Sequence, residues 1–294
     1  MKRNDCPKRI GSYQIERRIP RPVGSNMQQY AARYGLWRAR ERFTITTIEP
    51  RRAKEREFVD RFITAAGVAL LLRHPNILAA KALAFDATHG WFLVTEEVDG
   101  GDLRQLLQRG PLPVAIAIYV ASEMLRALAF VHGLPVPGQA PPGLVHGALT
   151  PENVFVARDG TVKLSNTGLA RVAWNPDAVM MVTSVSRYMS PEQVRGVPVD
   201  GRSDLFSVGA MLWEMLSGRP LFAGANAQAV LTAIERGPIV SPREVRPELP
   251  EDVCDVAMRL LARDPGERCG GHDARRAFGA TVDAASAPRS VVWH

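Results

Sequence analysis

A chain of 294 residues with 46% apolar content can bury a substantial core, which excludes a disordered or low-complexity protein. The net charge of +7 is uneven: residues 1–60 hold 15 Lys/Arg against 7 Asp/Glu, a balance of +8, and the remainder holds 22 against 23, a balance of −1. Three cysteines (Cys6, Cys254 and Cys269) form an odd set without metal-ligand spacing, which excludes a disulfide framework and fits a reducing cytoplasm.

The N-terminal "MKRNDCPKRIGSYQ" has basic residues but no apolar core, so no signal peptide is expected. "YQIERRI" alternates and "RFTITTIE" is rich in β-branched residues; both predict strands. In "RRAKEREFVDRFITAAGVALLL" the four-residue spacing of Phe58, Phe62, Ala66 and Leu70 predicts an amphipathic helix, stopped by "RHPNIL" because the residue before Pro75 disfavours helix. "GWFLVTEEV" predicts a further strand. Helices then dominate, in "DLRQLLQRG" and "VAIAIYVASEMLRALAFVH", with short strands in "NVFVA" and "VKLSN". Ser122, Glu123 and Arg126 interrupt the long apolar run, so no membrane span is expected there. "SDLFSVGAMLWEMLSG" is apolar nearly all round and predicts a helix in the middle of a domain. A small β-rich part followed by a mostly helical part predicts an α+β protein of two lobes. Its expected parts are a basic tail (1–10), an N-lobe (11–98), a C-lobe (99–282) and a C-terminal tail (283–294).

Seven segments in order carry a likeness: "RHPNIL", "LVTEEVDGGDL", "LVHGALTPENVFV", "VKLSNTGLAR", "SRYMSPEQVRG", "GRSDLFSVGAMLWEMLSGRPLF" and "LLARDPGER". Together they resemble the protein kinase family, in particular bacterial eukaryotic-like Ser/Thr kinases, over roughly residues 11–280. "LVHGALTPENVFV" matches the catalytic loop H-R-D-L-x-x-x-N, in which the Asp takes the proton of the substrate hydroxyl and the Asn holds a metal ion. The resemblance implies a kinase-like bilobal fold. It assigns structural roles to Asp204 (bonding the catalytic-loop backbone) and Glu192 with Arg268 (a buried ion pair), while His146 reads as a core histidine that packs and bonds backbone rather than a catalytic one.

Other positions depart from the pattern. The catalytic Asp is Ala148 and the preceding Arg is Gly147; the Lys that follows is Thr150, and Asn153 is retained. The phosphate-binding Lys of the third family strand falls on Thr46, and its Glu partner on Ala65. D-F-G becomes Asn166-Thr167-Gly168, and Pro20 and Pro22 stand where the first two loop glycines belong. Thr46 and Asn166 carry no charge with which to neutralise phosphate or ligate Mg²⁺, and Ala148 accepts no proton. Thr95 falls at the gatekeeper position, with Thr44 and Phe155 beside an adenine site that they narrow. With Gly147 in place of Arg, the usual clamp on a phosphorylated activation segment is missing, although Thr183, Ser184 and Ser186 remain as acceptors.

The expectation drawn from this pattern is a pseudokinase, not an enzyme, acting as a protein-interaction, scaffold or regulatory module in the cytoplasm. No catalytic, cofactor-binding or metal residue is expected, and Mg-ATP binding is expected to be weak or absent. The alternative is a residual or atypical ATP-dependent Ser/Thr kinase or transferase, or a nucleotide sensor. In the slow-enzyme case Arg17, Arg18 or Arg21 would supply the missing cation. The expected partner is a protein, an active kinase or an acidic surface, rather than nucleic acid. It is expected to meet Arg51, Arg52, Lys54 and Arg56 at the start of the first helix. The Pro-rich insert 134–143 reads as a surface loop.

Overall fold

The computed structural model describes residues 6–20, 26–34, 41–134, 143–169 and 183–281, with the backbone alone at Thr183, Ser184, Ala280 and Thr281. Arg21, Pro22, most of the Pro-rich insert, the C-terminal tail and most of the segment before Thr183 lie outside these residues. Two units divide the chain. One takes the described residues up to His74, then Leu78–Glu97, and is joined again at Asn166; the other takes Pro75–Ile77, Val98–Ser165 and the described residues from Thr183 on.

In the N-terminal unit β1 (Arg9–Ile10), β2 (Tyr13–Ile19), β3 (Met27–Tyr34), β4 (Arg42–Ile48), β5 (Ala80–Asp86) and β6 (Gly90–Glu96) form an antiparallel sheet in the order β1-β2-β3-β4-β6-β5. The alternation of each strand sends Ile10, Tyr30, Ala32, Ile45, Phe92 and Val94 into one cluster, bordered by Tyr13, Ile15 and Phe43. Residues expected as a basic tail thus end in a strand, since Ile10 is fully buried. β5 escaped the sequence reading because "AKALAFD" is alanine-rich, a composition of low strand propensity. It sits at the sheet edge, and Lys81 is exposed there, a usual guard against edge pairing.

Helix α1 (Arg56–Leu71) buries Phe58, Phe62, Ala65, Ala66 and Ala69. The expected stripe ended at Leu70, which is only half-buried. A strict four-residue step overruns the 3.6-residue turn, so the buried face drifts back to Ala65 and Ala69. Arg51, Arg52 and Lys54 do not lead this helix: a separate 3-10 turn spans Arg52–Lys54, and α1 begins at Arg56. A cation at a helix start is disfavoured by the macrodipole, and of these four residues only Arg56 lies in the first turn of α1.

The C-terminal unit opens with β7 (Gly100–Asp102) and α2 (Leu103–Leu107), whose first turn is capped by Asp102 accepting from the Gln105 N–H. α3 (Val114–His132) is, among the described helices, the one long and apolar enough to cross a membrane by length and composition. It is nevertheless packed in this unit, with Ala117, Val120, Met124 and Leu128 buried and Glu123 accepting from Asn76 Nδ2 at 2.8 Å. A 3-10 turn (Pro151–Asn153) leads into β8 (Val154–Ala157), which pairs with β7 and with β9 (Val162–Leu164). After α4 (Thr183–Ser186) and α5 (Pro191–Val194), α6 (Gly201–Ser217) forms the centre of the unit. Every residue of α6 from Ser203 to Leu216 is buried. α7 (Ala227–Arg236), α8 (Pro242–Val245), α9 (Glu251–Leu260) and α10 (Gly271–Thr281) complete the unit, with α3 and α9 packed on α6.

Candidate functional site

The loop from residue 144 to the Pro151 turn is held by side chains that the fold has buried around it. Asp204, in the first turn of α6, is 1% exposed. Its Oδ2 accepts the His146 N–H (2.9 Å) and meets His132 Nε2 (2.7 Å), while Oδ1 accepts the Gly147 N–H (2.8 Å). His146 is buried, and burial pushes its imidazole down to the neutral form. Its Nε2 donates to the Ser165 carbonyl at 2.9 Å, which leaves Nδ1 to accept from the Ala148 N–H at 3.4 Å. Gly147 has φ +72°, a left-handed conformation that costs a glycine little. Its carbonyl accepts Gln193 Nε2 at 2.7 Å. Asn153 Nδ2 donates to the Ala148 carbonyl at 2.8 Å, and the Asn153 carbonyl accepts from Ser165 N at 2.8 Å. Thr150 is buried with an extended backbone, just before Pro151 opens the turn.

Two buried polar clusters anchor this frame. Arg268 forms a bidentate pair with Glu192, Nη1–Oε1 at 2.6 Å and Nη2–Oε2 at 2.7 Å. Burial alone would push the Glu192 carboxyl up, but hydrogen bonds from Arg268 and Ser203 hold it below the ordinary glutamate value. The second cluster was not seen in the sequence. Arg104 on α2 donates to Glu152 Oε1 (3.1 Å), to Glu214 Oε1 (2.8 Å) and to the Tyr188 hydroxyl, which itself donates to Glu214 Oε2 (2.5 Å). Burial first, and Glu214 second, push the Tyr188 phenol well up, so it stays protonated and keeps donating. No spacing rule links residues 84 and 110 positions apart. Gln193 did leave a signal, because "SPEQ" is a capping-box pattern.

The remaining predicted positions lie in the N-terminal unit. Thr46 is central in β4, opposite Leu93 and Gln29, and 2% exposed; its Oγ1 accepts Gln29 Nε2 at 3.1 Å. Ala65 is buried on α1. Asn166 takes φ +60°, a conformation in which Asn is among the best-tolerated non-glycine residues. Thr167 is buried and its Oγ1 has no hydrogen-bond partner. Gly168, at φ +83°, lies where a Cβ would come within 3.5 Å of the Ala65 carbonyl. Thr95 donates to the Thr44 carbonyl at 3.4 Å. Among the described residues no three His, Cys, Asp or Glu side chains group to hold a metal ion. Asn166 and Asn153 are neutral amides, whose oxygens could only be uncharged ligands, and Asn153 Nδ2 donates to the Ala148 carbonyl.

A β-rich unit, a helical unit and a loop clamped by an aspartate at the start of a buried helix define a protein-kinase-type domain. The chain belongs to the protein kinase family: the protein kinase domain model matches residues 36–278. It is similar to the tyrosine-protein kinase MasK of Myxococcus xanthus, 32% identical over 221 residues, covering 72% of this chain and 34% of MasK. The serine/threonine-protein kinase PknL of Mycobacterium tuberculosis is 33% identical over 229 residues, covering 76% of this chain and 55% of PknL. Among solved structures, a double mutant of the Mycobacterium tuberculosis PknI kinase domain has a TM-score of 0.67 at 22% identity, covering 92% of this chain and 96% of that one. That likeness shows the fold. The chain spans about a third to a half of the length of these curated relatives.

These relatives correct one expectation. Absent motif residues implied an inactive homologue, yet the relatives at 32–33% identity are named kinases, which points to an enzyme. The expectation rested on several losses together, the base at Ala148, the charged pair at Thr46 and Ala65 and the metal carboxylate at Asn166, and absent motif residues do not by themselves measure an activity. A general base contributes about 10² to 10⁴ in rate, whereas enzymes accelerate their reactions by about 10⁶ or more. The loss of a base alone therefore does not amount to the loss of an activity.

Proposed function

We propose that this chain is the kinase-type domain of an atypical ATP-dependent Ser/Thr protein kinase, slow by the standard of its family and weak in its hold on Mg-ATP. The observation that supports it is the set of hydrogen bonds around the loop: Asp204 on the His146 and Gly147 N–H groups, Gln193 on the Gly147 carbonyl and Asn153 on the Ala148 carbonyl. Phosphoryl transfer leaves a protein little covalent work, and positioning with charge stabilisation accounts for most of the acceleration. A loop this fully bonded holds the acceptor hydroxyl against the nucleotide without a base. The hydroxyl's proton then leaves to solvent or to phosphate, which is the slow route that Ala148 imposes.

The test is transfer of labelled γ-phosphate from millimolar ATP to a Ser/Thr-containing protein substrate, compared with an Asn153→Ala variant. Slow incorporation that falls at least tenfold in the variant, about the worth of one buried hydrogen bond, supports the proposal. Equal incorporation by both proteins marks a contaminant and defeats it.

A protein partner with an acidic surface is proposed as well, on a separate observation. Arg51, Lys54 and Arg56 are exposed at one edge of the N-terminal unit, whereas Arg52 is bound to Glu55 and Asn26. Charge complementarity of this kind steers association and adds little to affinity.

A further inference from the structure

We infer that Gln193 is a positioning residue for the catalytic loop: its side-chain amide clamps the Gly147 carbonyl and sets the loop without any phosphate on the chain. The inference rests on the kinase reading above and deepens it.

The starting point is the residue that Gly147 lacks. A glycine has no side chain with which to reach a phosphorylated segment, so Gly147 itself cannot pair with such a phosphate. Its peptide groups are nevertheless held from two directions. Asp204 Oδ1 takes the Gly147 N–H at 2.8 Å, and Gln193 Nε2 donates to the Gly147 carbonyl at 2.7 Å. Both fix the approach to Ala148, the next residue.

Gln193 is itself immobilised. Its Oε1 accepts the Ser190 N–H at 2.9 Å and faces Ser190 Oγ at 3.3 Å, while its own N–H donates to Ser190 Oγ at 3.4 Å. Together these contacts form a complete capping box on α5. The same short helix is pinned to the core by Glu192, the adjacent residue, through the buried Arg268 pair. The Gln193 amide is therefore carried on a fixed element.

The residue type is the informative part. A capping box accepts Glu as readily as Gln, because only an acceptor oxygen is used. The bond to Gly147 requires a donor on the same side chain, which Gln has and an ionised Glu lacks. One amide thus closes the cap with its oxygen and holds the loop with its nitrogen. That double use explains a glutamine where the cap alone would not demand one.

Gln193→Glu separates the two functions in the full chain, since it keeps the cap and removes the donor. Hydrogen exchange read by mass spectrometry should show residues 144–153 exchanging about three- to tenfold faster, the ratio one net hydrogen bond corresponds to. Exchange in α9 should be unchanged. In the transfer assay kcat should fall at least tenfold with KM for ATP unaltered. Ser190→Ala, which weakens the cap and keeps the clamp, should raise exchange in 190–196 and disturb 144–153 much less. If Gln193→Glu does not fold, Gln193→Ala compared with Ser190→Ala isolates the clamp in the same way. Phosphatase treatment of the unaltered protein should leave exchange in 144–153 as it was. The inference is overturned if Gln193→Glu leaves that segment unchanged, if Ser190→Ala disturbs it as much, or if dephosphorylation loosens it. Should the unaltered protein transfer no phosphate, the kinase reading falls while the exchange data still decide the role of Gln193.

Discussion

Replacing Arg268 with alanine removes a guanidinium whose donors are all engaged. Its side chain is fully buried, and Glu192 is 6% exposed. Beyond the two bonds to Glu192 it donates to the carbonyls of Ala262 (2.7 Å), Arg202 (2.9 Å) and Arg263 (3.2 Å), and it lies 5.0 Å above the Phe206 ring. Leaving one partner of a buried pair uncompensated costs about 3–5 kcal/mol. Three carbonyls that lose their donor add to that, although neighbouring losses overlap, so about 4–6 kcal/mol is expected for Arg268→Ala. A domain stable by about 5–15 kcal/mol would then be close to unfolding. The double variant Glu192→Leu with Arg268→Met leaves no buried charge and should lose clearly less than the single one. The pH dependence has a definite sign: Glu192 is held below its ordinary value, so the stability that the pair confers is present at neutral pH and is lost as pH falls through that lowered value. Urea unfolding followed by circular dichroism measures all of this. A loss below about 1 kcal/mol for Arg268→Ala, or a double variant no better than the single, would refute the reasoning.

Asp86 accepts from the N–H groups of Thr88 and His89, from the His89 ring and from Gly11, which holds its carboxyl down at about 2, with the His89 bonds the largest cause. Its contribution is present above the ordinary aspartate value and lost as pH falls through about 2; Asp86→Asn should remove roughly 1–2 kcal/mol at neutral pH and flatten that acid limb of a stability profile. Glu97 runs the opposite way. Burial pushes its carboxyl up, Oε2 is buried without a partner and Arg17 lies 3.9 Å away, so ionisation works against folding as pH rises through the raised value. Glu97→Gln should therefore raise the melting temperature at pH 7 and leave it nearly unchanged at pH 4. For the basic edge, Arg51, Lys54 and Arg56 changed together to Glu, with Arg52 spared for its bonds to Glu55 and Asn26, should leave the fold intact. Binding of a poly-glutamate peptide, followed by anisotropy at low salt, should drop sharply; unchanged binding would make this edge a solvated face.

Legibility in the sequence followed the range of the interactions concerned. Strands with β-branched alternation, such as Arg42–Ile48, and the apolar run of Gly201–Ser217 were readable because their burial is periodic within one window. Ala80–Asp86 was not, since its place at the sheet edge comes from pairing with Gly90–Glu96 and not from its own residues. The loop residues were found through ordered motifs, and the structure bonds His146, Asp204 and Asn153 on that loop and Glu192 to Arg268. His132 and Arg104 were missed for one reason. Each acts through a partner more than 70 positions away, and nothing local to either residue announces it.

A motif reading treats frame residues and chemical residues alike, but their substitutions have different physical consequences. Removing Asp204 or Arg268 strands buried partners, and the loss falls on folding. At Thr46, 2% exposed, and at buried Ala65 the family places a Lys and a Glu, and neutral residues there relieve the unit of desolvating two charges. Such replacements are neutral or stabilising for the fold. Retained frame residues therefore hold the loop in place, while Thr46 and Ala65 leave the N-terminal unit without the family's buried charges.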